Sequence, residues 1–380
     1  MKAGWKSKTL GNICDILDSR RKPITKCDRK AGPYPYYGAT GILDFIEGYL
    51  FDEPLILVGE DGAKWLSGDN TAFAVDGKCW VNNHAHVLRP HRSVLLDNWL
   101  IHFLVHSDLS EFVSGLTVPK LNQGNLREIA IPVPPLPEQQ RIVTLLDEAF
   151  DGIATARAHA EKNLQNARAI FESYLQSVFT QWGNGWEEKT LEQISTTFGR
   201  GKSKHRPRND PALYGGRYPF IQTGDVRNAG HFITAFSQTY SEAGLAQSKL
   251  WPKGTICITI AANIAETGIL GFDACFPDSV IGVVPNPNEA EVGFVEYLLQ
   301  SFKVRIQALG QGSAQANINM GTFENERFPF PGVAEQRRIV AKLDDLSEET
   351  QHLESLYQRK LTALDELKKS LLTQAFSGAL

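Results

Sequence analysis

The sequence predicts an α+β chain in which two pseudo-twofold-related globules are separated by an antiparallel coiled coil of two long helices. Three observations predict it. The stretch Pro135-Leu136-Pro137-Glu138-Gln139-Gln140-Arg141-Ile142-Val143 recurs 197 residues later as Gly332-Val333-Ala334-Glu335-Gln336-Arg337-Arg338-Ile339-Val340, and the match continues without insertion through Asp147 and Asp344 to Phe179 and Phe376. Both copies carry apolar residues at steps of three and four, the spacing of a helical seam. Ahead of each copy lie short apolar runs punctuated by Gly, Asp and Asn, which reads as strands and turns.

The helices come first because the rest hangs on them. Each copy covers about 42 residues, roughly 63 Å at 1.5 Å per residue, against about 11–12 residues for an ordinary globular helix. A helix that only filled a core could gain or lose a turn in one copy, so the gapless repeat implies a constrained length. In the first copy the seam is Ile142, Leu146, Ala149, Ile153, Ala156, Ala160, Ala167 and Tyr174; in the second it is Ile339, Leu343, Leu346, Thr350, Leu353, Tyr357, Leu364, Leu367 and Leu371. Small alanines facing large Leu and Tyr let two such helices approach closely.

The globules repeat as well. Trp5-Lys6-Ser7-Lys8-Thr9-Leu10 is answered by Trp186-Glu187-Glu188-Lys189-Thr190-Leu191, at an offset of 181. Tyr34-Pro35-Tyr36 is answered by Tyr218-Pro219-Phe220, and the apolar strand in Leu55 to Gly62 by the run from Thr255 to Asn263. An apolar helical stretch follows in each, Trp99 to Val105 and Phe294 to Leu299, then Gly115 to Gln123 and its counterpart Gly312 to Met320. Each globule leaves through prolines, Pro132, Pro134 and Pro135 or Pro329 and Pro331, which cannot continue a strand and mark the boundary before a helix. The divisions are residues 1–134, 135–182, 183–331 and 332–380. Joining the end, Phe376-Ser377-Gly378, to the start, Gly4-Trp5, would regenerate the phrase from Phe179 to Trp186, so the chain reads as a ring cut once.

Composition bounds the function. The chain has 380 residues, 42% hydrophobic and 22% charged, with a formal net charge of −4, ordinary for a well-cored protein of two or three domains. No apolar run suits a signal peptide or membrane span, so a cytoplasmic protein with no membrane partner is expected. The five cysteines are scattered and form no C-x-x-C pair, which argues against a disulfide framework or a zinc knuckle.

Catalytic signatures are missing. Gly201-Lys202-Ser203 imitates the end of a phosphate-binding loop, but Thr196 stands where the first glycine is required. Cys79, His84, His86 and His91 have a spacing that could hold a metal, yet His84 and His86 alternate along a probable strand, and no metal is expected. The basic stretches carry more. Arg20, Arg21 and Lys22, with Lys26, Arg29 and Lys30, fall early in the first globule; Arg200, Lys202, Lys204, His205, Arg206 and Arg208 fall at the matching place in the second. Both stretches contain proline and turn residues, hence loops. Arg and Lys on loops suit phosphate contacts, and Arg can also pair with guanine in the major groove.

With these motifs in order, the chain resembles the specificity subunits of type I restriction-modification enzymes. Carrying the resemblance are Pro134 to Val143, the weaker Pro331 to Val340, the ending Ser370-Leu371-Leu372-Thr373-Gln374-Ala375-Phe376-Ser377-Gly378, and the openings at Trp5 and Trp186. The resemblance implies two target-recognition domains, each reading half of a split asymmetric double-stranded DNA site, and a coiled coil that sets the unread gap. It implies no catalysis and no cofactor in this chain: two methyltransferase subunits would bring S-adenosylmethionine, and restriction subunits ATP and magnesium. On that reading both basic loops, with Lys64 and Asn263 beside the apolar strands, face DNA, and Arg141, Arg157, Arg338 and Arg359 grip the methyltransferase. A two-headed scaffold, or a specificity factor of another DNA-defence methyltransferase complex, is the alternative. A self-contained nuclease or transferase would need a motif that is absent.

Overall fold

The computed structural model describes residues 4–115, 117–183, 185–204, 207, 209–261, 263–309 and 318–380. It has two compact units, Met1–Lys162 with Tyr357–Leu380, and Asn163–Leu356. Each therefore contains one globule and a part of both long helices. Among the described residues no helix is long and apolar enough to cross a membrane.

In the first unit, β2 (Cys14–Ile16), β9 (Ala85–Pro90), β6 (Leu55–Gly59) and β7 (Ala72–Val75) form an antiparallel sheet in that order. The continuous run Leu55-Ile56-Leu57-Val58 is fully buried, because the sheet is covered on both faces. Successive strand side chains point to opposite sides. Ile56 and Val58 accordingly join Trp99, Leu100 and Leu104 of the helix Asp97–His106. Leu55 and Leu57 join Phe51, Cys79 and Val81 of a second sheet, formed by β4 (Gly41–Ile46), β3 (Ala31–Gly38), β8 (Lys78–Val81) and β5 (Phe51–Asp52).

The second unit repeats this with β12 (Ser195–Arg200), β18 (Val280–Pro285), β16 (Ile256–Thr259) and β17 (Thr267–Leu270), extended by β14 (Phe232–Ile233). Ile256 and Ile258 face Phe294 and Leu298 of the helix Val292–Ser301, while Cys257 faces Trp251 and Phe276. The small sheet here is only β13 (Tyr214–Phe220) with β15 (Gln238–Tyr240). Of the expected segment Gly312 to Met320, residues 312–317 lie outside the described residues.

The proline exits correct one expectation. Pro132 lies inside β10 (Ala130–Val133), opposite Ser7 of β1 (Lys6–Thr9), and Pro329 inside β19 (Phe328–Phe330), opposite Glu188 of β11 (Glu187–Lys189). Both are two-stranded sheets, and an edge position needs no N–H from the proline on its open side. Each globule is thus closed by pairing its first strand with its last.

The long helices run Leu136–Thr180 and Val333–Ser377, 45 residues each. Arg157 pairs with Asp365 in the first unit and Arg168 with Glu354 in the second. The residue numbers of both pairs add to one value, as antiparallel helices in a single register require. On the first helix Ala160 and Ala167 are buried as expected. On the second, Leu367 is not in the seam: it is 47% exposed, whereas Leu361 and Leu372 are buried. Beside it Lys368, also exposed, holds its ammonium 5.0 Å from the centre of the Phe150 ring.

Equivalent side chains join globule to helix in both units. Gln139 is fully buried; its Nε2 donates to the carbonyls of Val94 and Pro134, both at 2.8 Å, and its Oε1 accepts from the Leu96 N–H at 2.9 Å. Gln336 does the same with Glu289, Pro331 and Glu291. Asp147 accepts from His102, and Asp344 from the Tyr297 hydroxyl. Phe376, at the end of the second helix, packs edge-on to Trp99, which also meets Trp5. Phe179, ending the first, packs on Phe294, which also meets Trp186. These contacts agree with the ring reading.

Candidate nucleic-acid interface

Strand polarity decides where the predicted residues go. In the first unit β2 and β6 both run antiparallel to β9, so the loop after Ile16, the segment after Gly59 and the turn before Ala85 emerge at one end of the sheet. That end gathers Arg21, Lys22 and Lys64, with Lys26 farther along the same loop, whereas Arg20 turns its guanidinium to the Leu50 carbonyl and to Glu53, which also holds Arg89 towards the other end of the sheet. In the second unit β12 and β16 both run antiparallel to β18, which gathers Arg200, Lys202, Lys204 and Asn263 at the corresponding end. Arg206 and Arg208, with His205, lie outside the described residues.

A buried charge network shapes the first end. Asp18 accepts from His86 Nδ1 at 2.6 Å, from the Val87 N–H at 2.9 Å and from Gln123 at 3.1 Å. The other ring nitrogen of His86 faces the Leu121 carbonyl at 2.7 Å. Glu60 pairs with Lys120 at 2.8 Å and with Arg21. Arg21 therefore departs from its expected role. Its side chain is only 12% exposed, and the guanidinium turns inward to Glu60, Asp18 and the Ala85 carbonyl, because two buried carboxylates need a cation more than the surface does. It positions the loop rather than facing outward.

The loop itself is pinned by backbone and arginine contacts, which leave its lysines exposed. The Trp80 indole donates to the Lys22 carbonyl at 2.6 Å, and Arg29 stacks on Tyr36 at 4.4 Å. Lys22, Lys26 and Lys64 are exposed. Arg20 is half-exposed, stacked on Phe51 at 4.6 Å and bonded to the Leu50 carbonyl at 3.0 Å.

Asp18, Glu60 and His86 approach closely enough to hold a cation, but Arg21 and Lys120 already neutralise those carboxylates. Of the histidine cluster, His84 pairs with Asp61, His86 with Asp18 and His91 with Asp15, while Cys79 is buried in the apolar core beneath the small sheet. The four do not converge on one point.

Burial raises the pKa of Asp18, but hydrogen bonds from His86 and the Val87 N–H and the charge of Arg21 outweigh it, leaving the carboxyl below the usual range. Ionised Asp18 thus stabilises the fold above its unfolded value of about 4, and that stability is lost as pH falls through the lower folded value. Asp18→Asn is expected to cost on the order of 3 kcal/mol at pH 7. Thermal melts should show the gap to the unsubstituted protein closing as pH drops below about 4; a gap independent of pH would refute this account.

In the second unit, Gly201 explains the false phosphate-loop motif. A Cβ there would lie 2.2 Å from the Phe276 carbonyl and 2.4 Å from that of Pro277, so only glycine lets the loop cross the 276–277 backbone. Arg200 donates to the Asp278 carbonyl at 2.7 Å and Lys202 N–H to that of Phe276 at 3.1 Å. Lys202 and Lys204 are exposed and Asn263 is half-buried, in a turn where Ala265 takes φ +61°. A positive φ in a residue with a Cβ marks a turn held by its surroundings. Lys249, which lies beside this loop, is a cation that the sequence does not point to; Lys-Leu-Trp carries no signal.

The four helix arginines are mostly engaged within the chain. Arg141 binds Glu138 and the Leu380 carbonyl, Arg157 binds Glu161 and Asp365, and Arg338 binds Glu335. Arg359 is exposed and has no salt bridge among the described residues.

A family model described as the type I restriction modification DNA specificity domain matches residues 2–164 and 183–362. A protein of Haemophilus influenzae assigned as a type I restriction enzyme specificity subunit is 27% identical, over 89% of this chain and 86% of the relative. The EcoKI specificity subunit of Escherichia coli is 22% identical, over 86% of this chain and 75% of its own length. Among solved structures, a chain from work on complex assembly and conformational transition of the type I R-M system has a TM-score of 0.76 at 18% identity, covering 100% of this chain and 99% of that one. The HsdS subunit from Thermoanaerobacter tengcongensis has a TM-score of 0.63 at 19% identity, covering 100% and 98%. At such identities the structures speak for a shared fold.

Proposed function

The chain belongs to the type I restriction-modification DNA specificity family and is a DNA sequence-recognition subunit, and from that premise we propose that each unit reads one half of a bipartite, asymmetric site. The observation that carries this is the repeated sheet end: one scaffold presents two cationic loops of different sequence in equivalent places. Shared scaffold with divergent loops suits two different half-sites. Exposed lysines supply phosphate contacts, which fix register, while neighbouring loop side chains read base edges.

The two long helices set the gap between the halves and dock two methyltransferase subunits. Because Arg141, Arg157 and Arg338 already hold acceptors within the chain, Arg359 is the best placed of the four predicted arginines to meet such a partner. The chain itself performs no chemistry and holds no cofactor; methylation with S-adenosylmethionine belongs to the modification partners, and ATP- and magnesium-dependent cleavage to the restriction subunits.

The test is to express the chain with its neighbouring methyltransferase subunit and map methylated adenines across the host genome. One split motif with a fixed gap is the expected result. A complex that forms but methylates without a split motif would overturn the two-half reading.

A further inference from the structure

In the second unit the segments that carry Lys202 and Lys249 are brought side by side, and neither lysine has a salt bridge among the described residues. The segment 247–249 lies along the loop 202–204: the Ser248 hydroxyl donates to the Lys202 carbonyl at 2.8 Å, and the Lys204 N–H donates to the Gln247 side chain at 2.6 Å. Lys249 is half-buried, its Nζ 3.6 Å from the centre of the Trp251 ring. That ring is fixed in turn: Trp251 is 1% exposed, forms a β-bridge with Ala274 and stacks on Phe276 at 5.0 Å. Phe276 also accepts the Lys202 N–H. Both lysines are thus tied to one rigid group, one by its backbone and the other through its stacked ring.

We propose that Lys202 and Lys249 form a two-ammonium cradle for a single backbone phosphate of the DNA, in which Lys249 is a member that no sequence signal marks; this rests on the DNA-recognition reading above. The aromatic face stabilises the Lys249 cation from one side and leaves the N–H groups on its other side for a further acceptor. Burial and the charge of Lys202 hold Lys249 below the usual lysine range, so the pair repel each other in the free protein. An anion between them turns that repulsion into attraction, and lysine binds phosphate as a point charge without a demand for planar geometry. Phosphate contacts position the protein and carry no base information, so this cradle governs affinity rather than the motif read.

The test uses the full chain assembled with its methyltransferase partner on a duplex containing its mapped motif. Affinity is measured against potassium chloride concentration for the unsubstituted chain, K249M, K249R and K202M/K249M. Methionine keeps an aliphatic stem over Trp251 while removing the charge. K249M is expected to weaken binding severalfold at low salt, K249R to restore it, and the double variant to reduce the slope of log K against log salt by about 0.9, the share of one phosphate. The methylated motif should be unchanged throughout. K249M binding as tightly as the unsubstituted chain would overturn the cradle, and a slope change of about 1.8 in the double variant would mean two separate phosphates. A wild-type complex whose binding ignores salt would instead overturn the DNA reading, and the cradle with it.

Discussion

Removing one heptad from each long helix, Ala154–Ala160 and Thr362–Lys368, is expected to shorten the unread gap of the methylated motif by about 3 base pairs while leaving both half-sites intact. Seven residues span roughly 10.5 Å of helix, and duplex DNA rises about 3.4 Å per base pair. The two deletions must be matched, because the helices run antiparallel in one register and the Arg157–Asp365 pair leaves together. Whole heptads keep the apolar seam on the facing side; a deletion in the first helix alone would put every later seam residue against the wrong partner and should shorten or abolish recognition. Genome-wide mapping of methylated adenines reads the outcome. Methylation of the original motif at its original gap would show that the helices do not measure distance.

Gln139→Leu is expected to be strongly destabilising although it lies outside the apolar cores. Leucine nearly matches the volume but cannot hydrogen-bond, so the buried Leu96 N–H and the Pro134 carbonyl lose their partner. Each unsatisfied buried group costs about 1–3 kcal/mol. A total near 3 kcal/mol would lower the melting transition of the first unit by roughly 6–12 °C for a unit of this size. Gln336→Leu should do the same in the second unit, and the two effects should add, since the sites share no partners. A calorimetric shift below about 2 °C for Gln139→Leu would mean that water or a shifted backbone takes over those bonds.

The long helices were legible because a gapless repeat and a seam are local patterns. The strand around Leu57 was legible because a short unbroken apolar run between turn residues suits a strand buried on both faces. Of the placements, that of Lys22 and Lys64 at one end of the sheet followed once strand directions were known. Arg21 was not legible: its inward turn depends on Glu60, 39 residues away, and no local pattern reveals which arginine a buried carboxylate will claim. Lys249 was invisible for the same reason, since its neighbour Lys202 is anchored by Ser248 across 46 residues. The seam failed at Leu367 because the helix buries Leu361 and Leu372 instead, and a run with Leu361, Leu364, Leu367, Leu371 and Leu372 offers a hydrophobic template more than one step of three or four.

The glutamine joint has one more consequence. Among the described residues the hydrogen bonds of Gln139 all go to main chain, the carbonyls of Val94 and Pro134 and the N–H of Leu96, and those of Gln336 to main-chain atoms of Glu289, Glu291 and Pro331. These bonds put no demand on the side chains at the three backbone points, so the chain there can vary without loosening the glutamine; the neighbouring contacts of Asp147 with His102 and of Asp344 with Tyr297 do read the globule's side chains.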